Sequence, residues 1–136
     1  MAEALFRNKV AKEGLTEWIT VDSAGTGAWH IGETPHQGTQ RILKALNIPF
    51  NGIKARQLEP DDMSQYDWIL VMDQENQDAV KRLSPDAHNV FKVLEFADVF
   101  DQNVPDPFYT GGFEEVYRLL DQALDNFLQV LTDGQN

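Results

Sequence analysis

Apolar residues follow helical and strand periods in turn along the chain, and each change of period falls at a capping or turn residue. Met1 to Glu13 reads as a helix, with Met1, Leu5, Phe6 and Val10 on one side and Gly14 as its stop. Trp18-Ile19-Thr20-Val21 reads as a short strand feeding a glycine-rich turn at Gly25 and Gly27. Thr34 is placed to cap a helix with Pro35 at its first position, after which Ile42, Leu43 and Leu46 share a face. Trp68-Ile69-Leu70-Val71-Met72 is an unbroken apolar run, as expected of a strand buried on both faces of a parallel sheet. Asp73 follows as the cap of a helix running to Leu83. Val90 to Leu94 is a further strand, and Phe113, Val116, Tyr117, Leu120, Ala123, Leu124, Phe127, Leu128 and Leu131 trace one stripe of a long last helix. Alternating strands and helices predict a parallel α/β sandwich. Ligands in such sheets bind at the carboxyl ends of strands, so the Ser23–Gly27 turn, the Asp73 cap and the loop carrying Asp106 are expected to gather at one end.

Composition narrows the function classes. A length of 136 residues with 42% apolar residues fits one domain spanning residues 1–136. Eleven basic against 22 acidic side chains give a formal charge of -11, which repels nucleic-acid phosphates and anionic lipid, so neither nucleic acid nor membrane is an expected partner. No apolar run approaches a membrane span and the first residues lack the pattern of a signal peptide, so the cytoplasm is the expected location. The absence of cysteine excludes disulfides, thiolate metal sites and a cysteine nucleophile within these residues. His30, His36 and His88 have no metal-ligand spacing, and Asp98, Asp101 and Asp106 lack the spacing of a calcium loop; no metal or cofactor is expected.

Three positions stand out chemically. Asp106 lies between Pro105 and Pro107, which restrict the backbone on both sides and hold the carboxyl rigidly; such a group either protonates a leaving oxygen or simply forms a surface Asp-Pro turn. Trp29, in the glycine-flanked stretch Ala28-Trp29-His30-Ile31-Gly32, is either one wall of an aromatic slot, with Phe108 or Tyr109 opposite, or a plug folded onto the core. Ser23 sits in Asp22-Ser23-Ala24-Gly25, which is not a nucleophile elbow, and no histidine is placed as its base.

The segments Val21-Asp22-Ser23-Ala24-Gly25-Thr26-Gly27, Lys54-Ala55-Arg56-Gln57-Leu58, Met72-Asp73-Gln74-Glu75-Asn76 and Pro105-Asp106-Pro107-Phe108-Tyr109 together resemble the low-molecular-weight protein-tyrosine phosphatases. The resemblance implies the phosphotyrosine protein phosphatase I-like fold, a three-layer α/β sandwich with a small parallel sheet. It also implies action on a phosphotyrosine protein or a small aryl phosphate. It gives Asp106 the general-acid role, makes Trp29, Phe108 and Tyr109 substrate-lining aromatics, gives Ser23 the support of a phosphate loop, and makes Asp73 structural. Many relatives carry histidine before the Lys/Arg-Ala-Arg-Gln segment, in the same hydrogen-bond network as that serine; here the position is Ile53.

Members of the family open with an apolar strand and a C-x5-R-S phosphate loop, and the residues after that loop look like Met1-Ala2-Glu3-Ala4-Leu5-Phe6. The chain is therefore expected to begin just downstream of that loop, without the first central strand of the sheet. The family reaction uses a thiolate nucleophile, a cradle of backbone N–H groups with an arginine, and an aspartic acid. Only the acid is retained, so the polypeptide as written is expected not to turn over phosphotyrosine. Loss of the strand implies a gap of roughly 10 Å between the Trp18–Val21 and Trp68–Met72 strands and a penalty on the order of 10 kcal/mol. The expected relief is closure of those strands on each other, or a second chain over the gap as in a homodimer. Ser23 is expected to lose its partner with the loop. A non-catalytic binding or regulatory module and an arsenate reductase-like activity are the alternatives; the latter also needs cysteine, and the aromatics suit the phosphatase branch better.

Overall fold

The computed structural model describes residues 1–26, 32–105 and 112–133. The elements in chain order are α1 (Ala2–Lys12), α2 (Gln37–Ala45), the one-turn α3 (Asp62–Gln65), β1 (Ile69–Val71), α4 (Gln74–Leu83), β2 (Val90–Lys92), a 3₁₀ turn (Val93–Phe96) and α5 (Phe113–Asp133).

Local chemistry sets most of these boundaries. Gly14 ends α1 with φ of 70°, and Leu15 N–H reaches back to Val10 C=O at 3.0 Å, a six-to-one closure that glycine allows without strain. Asn47 does the same for α2 with φ of 56° while Ile48 N–H bonds Leu43 C=O at 2.8 Å. Asp73 caps α4 as its sequence predicts, accepting the Asn76 N–H at 2.8 Å. The cap of α2 differs from expectation: it is His36, whose Nδ1 accepts the Gly38 N–H at 3.0 Å, so Thr34 and Pro35 lie before the helix. The strand expected to reach Leu94 stops at Lys92, where the Glu95 carboxylate takes the Lys92 N–H at 2.6 Å and winds the chain into the 3₁₀ turn.

β1 and β2 are parallel, with Ile69 opposite Val90 and Val71 opposite Lys92, and α4 crosses between them. Side chains alternate across the sheet. Leu70 and Met72 pack on the main core of α1, α2 and α5, whereas Ile69, Val71 and Val90 join Met63 of α3 and Val80 of α4 on the other face. Helices on both faces make the α/β sandwich of three layers. The main core is built where Leu5, Phe6 and Val10 of α1 meet Leu120, Ala123, Leu124, Phe127 and Leu128 of α5, at the i, i+3 and i+4 spacing of two amphipathic stripes. An aromatic chain runs through it. Phe127 lies 5.5 Å from Phe6, 5.0 Å from Phe96 and 5.3 Å from Trp68.

The expected Trp18–Val21 strand does not form among the described residues. Trp18 and Ile19 N–H groups turn back to Leu15 C=O at 2.9 and 3.0 Å, and only Gly25, further on, makes a bridge, to Gln57. The segment keeps a strand's alternation, with Ile19 and Val21 on the core and Trp18 exposed, but gains no ladder partner. Closure of this segment onto β1 is therefore not found. Ile69 N–H donates to Asn89 C=O at 2.9 Å. In a parallel ladder alternate residues face the same neighbour, so the backbone groups of Leu70 point to the edge of β1 opposite β2. Among the described residues no strand pairs with that edge.

Candidate active site

Ser23 has a partner of its own within the chain, other than the phosphate loop of the resemblance. Its hydroxyl donates to Glu3 Oε1 at 2.5 Å, and Glu3 Oε2 accepts from Arg7 one helical turn on, also at 2.5 Å. Glu3 is 6% exposed, an uncommon setting for a carboxylate that the two donors make tolerable. Arg7 NH1 extends the connection to Asn51 C=O at 3.4 Å. The first turn of α1, the Ser23 turn and the turn before Ile53 are thus joined through one buried acid. Ile53 itself is packed in the main core, as its apolar side chain requires.

The neighbouring residue, Asp22, belongs to a second network. Arg56 donates through Nε to Asp22 Oδ2 at 3.0 Å and through both terminal nitrogens to Asp62, at 3.0 and 3.2 Å. Asp62 also accepts the Glu59 N–H at 2.8 Å, and Tyr66 Oη donates to Asp22 at 3.3 Å. The guanidinium holds the Asp62 carboxyl below its ordinary pKa despite burial, and the hydrogen bond to Asp62 raises that of Arg56. Burial pushes the Tyr66 phenol up, and the Asp22 charge adds to the effect. Asn89 completes the frame, its amide bonding Met63 and Tyr66 C=O at 3.1 and 2.8 Å. This lattice fixes both backbone approaches to the segment bearing Trp29: Gly25 N–H bonds Arg56 C=O at 2.8 Å, and Gly32 N–H bonds Ala55 C=O at 2.7 Å.

A third set of contacts lies at the carboxyl end of β1. Val104 N–H donates to Met72 C=O at 2.8 Å, Gln74 N–H to Asn103 Oδ1 at 2.9 Å, and Asn103 N–H to Asp101 Oδ1 at 3.0 Å. The stretch entering Pro105-Asp106 is thereby pinned to the end of the strand and the start of α4. At the far side of that segment Phe113 opens α5. Trp29, Asp106, Phe108 and Tyr109 themselves lie outside the described residues.

Of the residues singled out in the sequence, Ser23 and Asp73 are seen directly, Ser23 in the Glu3 network and Asp73 as a helix cap. Glu3, Arg7, Asp62, Tyr66 and Asn89 were missed. Their signal was faint: an acid inside an apolar helix face for Glu3, and for Asp62 a helix of four residues with no period of its own. Among the described residues no group of three His, Asp or Glu side chains is arranged to hold a metal, and no helix is long and apolar enough to cross a membrane. A groove of about 300 Å³ opens elsewhere, along the side of α1 that carries Asn8, Lys9 and Lys12. Of its two lysines, Lys9 pairs with Asp121 and Asp125 at 2.5 and 2.7 Å.

The family model for low molecular weight phosphotyrosine protein phosphatase matches residues 1–136. The low molecular weight protein-tyrosine-phosphatase PtpA of Staphylococcus epidermidis is 40% identical over 137 residues, covering 100% of this chain and 87% of the relative. PtpA of Staphylococcus saprophyticus is 41% identical with the same coverage. Among solved structures, YfkJ from Bacillus subtilis superposes with a TM-score of 0.96 at 39% identity, covering 99% of this chain and 87% of that one. A protein tyrosine phosphatase from Entamoeba histolytica, crystallised with Hepes in its active site, gives 0.89 at 28% identity, covering 99% and 89%. The match of sequence over the whole chain and of backbone over nearly all of it has one meaning: the chain belongs to the low molecular weight phosphotyrosine protein phosphatase family.

Proposed function

We propose that these 136 residues form the acid-bearing and substrate-lining part of a phosphotyrosine monoester hydrolase and do not hydrolyse phosphate esters as written. The observation that carries the proposal is the absence of cysteine from a chain of this family, whose reaction passes through a cysteinyl-phosphate. Asp106 is assigned the protonation of the leaving phenolate oxygen, Trp29, Phe108 and Tyr109 the walls of the aryl slot, and Ser23 the support of the phosphate-binding loop. Support for these roles comes from the anchored surroundings. The backbone approaches to Trp29 are tied to Ala55 and Arg56, the approach to Asp106 is tied to Met72, and the Ser23 hydroxyl is oriented by Glu3. Retention of an oriented serine and a proline-held acid favours the phosphatase reading over an arsenate reductase or a pure binding module.

The test is steady-state hydrolysis of an aryl phosphate by protein of verified intact mass. No turnover above the uncatalysed rate is expected; saturable turnover lost on Asp106→Ala contradicts the proposal. The same proposal includes a second chain over the edge of β1 that no strand pairs among the described residues, because the Leu70 backbone groups point there and unpaired strand edges recruit partners. Sedimentation is expected to report a dimer, and a well-folded monomer at all concentrations argues against it.

A further inference from the structure

Asn51 is the asparagine that the fold leaves chemically open among the described residues. An asparagine is attacked at its side-chain Cγ by the backbone nitrogen of the residue after it. Three things block that attack: a hydrogen bond on the nitrogen, a hydrogen bond on the carboxamide, and a bulky side chain beside the nitrogen. Asn8, Asn76 and Asn126 lie inside helices, whose ladder holds the next N–H. Asn89 gives its amide to Met63 and Tyr66 C=O. Asn103 accepts the Gln74 N–H, and the Val104 N–H behind it is taken by Met72 C=O. Asn47 is followed by buried, β-branched Ile48, whose N–H bonds Leu43 C=O at 2.8 Å.

Asn51 escapes all three. The residue after it is Gly52, with no Cβ, and among the described residues neither the Gly52 N–H nor the Asn51 carboxamide makes a hydrogen bond. Both residues are exposed. They form the middle of a type II turn, with Gly52 at φ of 79°, where glycine sits without strain. Two contacts hold the turn, Ile53 N–H to Phe50 C=O at 3.3 Å and Arg7 NH1 to Asn51 C=O at 3.4 Å. Both are longer than the usual range of about 2.7–3.2 Å, so rotation of the Asn51 backbone, which ring closure needs, meets little resistance.

We propose that Asn51 is a site of spontaneous modification, converting to aspartate and isoaspartate through a cyclic imide with Gly52. The Gly52 nitrogen gives its proton to water, bonds to Asn51 Cγ and closes a five-membered ring, while the Cγ–Nδ2 bond breaks and ammonia leaves. Water then adds to either imide carbonyl, giving aspartate by one opening and isoaspartate by the other. The net change exchanges NH₂ for OH, with no oxidation or reduction. Both products put a carboxylate on the residue whose carbonyl touches Arg7, the guanidinium that also serves Glu3 and through it Ser23. Isoaspartate adds one carbon to the main chain as well, two positions ahead of buried Ile53.

The test is ageing of the intact 136-residue protein in mildly alkaline heavy-oxygen water, followed by tryptic digestion in ordinary water and mass mapping. Trypsin releases residues 45–54 as one peptide carrying both Asn47 and Asn51, so fragmentation compares a guarded and an open asparagine side by side. Asn51 is expected to gain one solvent oxygen, as aspartate and isoaspartate, about tenfold or more faster than Asn47, since opening the Ile48 hydrogen bond alone slows Asn47 by about that factor. Its conversion in the native protein is expected to lie within about tenfold of that in urea. Asn51→Gln, whose longer side chain closes a less favourable ring, is expected to abolish the labelling of this peptide. Equal conversion of Asn47 and Asn51 overturns the proposal. So does an Asn51 that converts in urea but not in the native protein, or labelling that persists in Asn51→Gln. None of these readouts depends on phosphate ester turnover, so failure here leaves the phosphatase reading standing.

Discussion

Replacing Asp62 by asparagine removes the charge on which the Arg56 lattice turns. The Asp62 side chain is 10% exposed and that of Arg56 36%, so the pair is neither fully buried nor freely solvated. Asparagine can keep an oxygen at the Oδ2 position, which accepts from Glu59 N–H at 2.8 Å and from one Arg56 terminal nitrogen at 3.0 Å, but its amide NH₂ then faces the other terminal nitrogen, whose 3.2 Å hydrogen bond is lost along with the charge. Hydrogen bonds to charged groups contribute about 1.5–3 kcal/mol, while half-exposed ion pairs contribute about 0–1 kcal/mol. Arg56 also keeps Asp22. A loss of about 2 kcal/mol is expected, which for a domain of this size lowers Tm by roughly 8 °C. The pH dependence follows from the depressed Asp62 pKa, caused first by the Arg56 hydrogen bonds and opposed by burial. A depressed carboxyl pKa contributes stability above the unfolded value, about 4, and that contribution is lost as pH falls through the folded value. Urea unfolding of wild type and Asp62→Asn is thus expected to give curves well separated at pH 7 that converge at acidic pH. Equal stability at pH 7, or a separation that stays constant into acid, would refute the reasoning.

Other perturbations probe other parts of the framework. Glu3→Ala is expected to cost about 2–3 kcal/mol in denaturant unfolding, and a double-mutant cycle with Ser23→Ala is expected to give a coupling above about 0.5 kcal/mol; additive losses would mean that the contact carries nothing. Lys9→Met is expected to cost about 1 kcal/mol. Burial lowers the Lys9 pKa, but Asp121 and Asp125 together outweigh it and leave it raised. Its contribution therefore persists through neutral pH and fades only as pH rises through that raised value, and a mutant-to-wild-type gap that closes already at neutral pH speaks against it. Phe127→Ala is expected to cost about 3–5 kcal/mol and to shift Trp68 emission, since the two rings meet edge to face at 5.3 Å; an unshifted spectrum would contradict the packing.

Sequence periodicity was a sound guide wherever an element carries its own caps. α1, α4 and α5 announce themselves by an amphipathic stripe and by Gly14 or Asp73 at the ends, because those signals act within one turn of chain. Strands are less legible, since they depend on a neighbour. Trp18–Val21 has the composition of a strand and alternates like one, yet among the described residues it finds no ladder, and a propensity without a partner does not make a sheet. The α2 cap is His36 rather than Thr34, and the capping imidazole stacks on Phe113, 77 positions away, a contact no local pattern reveals. The same holds for the site. Asp106 and the aromatics form a local motif that lies outside the described residues, whereas the Glu3–Ser23 contact joins residues 20 positions apart and Arg56 chooses Asp62 and Asp22 only once the chain has folded.

The claim at the centre, that this polypeptide holds a proton donor without an attacking sulfur, is most directly tested by trapping. The protein is mixed with excess aryl phosphate, quenched in acid within the first moments, and its intact mass read alongside the phosphate released. The account predicts an unmodified mass and no burst of aryl alcohol; a covalent phosphoryl adduct on any side chain, or a burst matching the enzyme concentration, would contradict it.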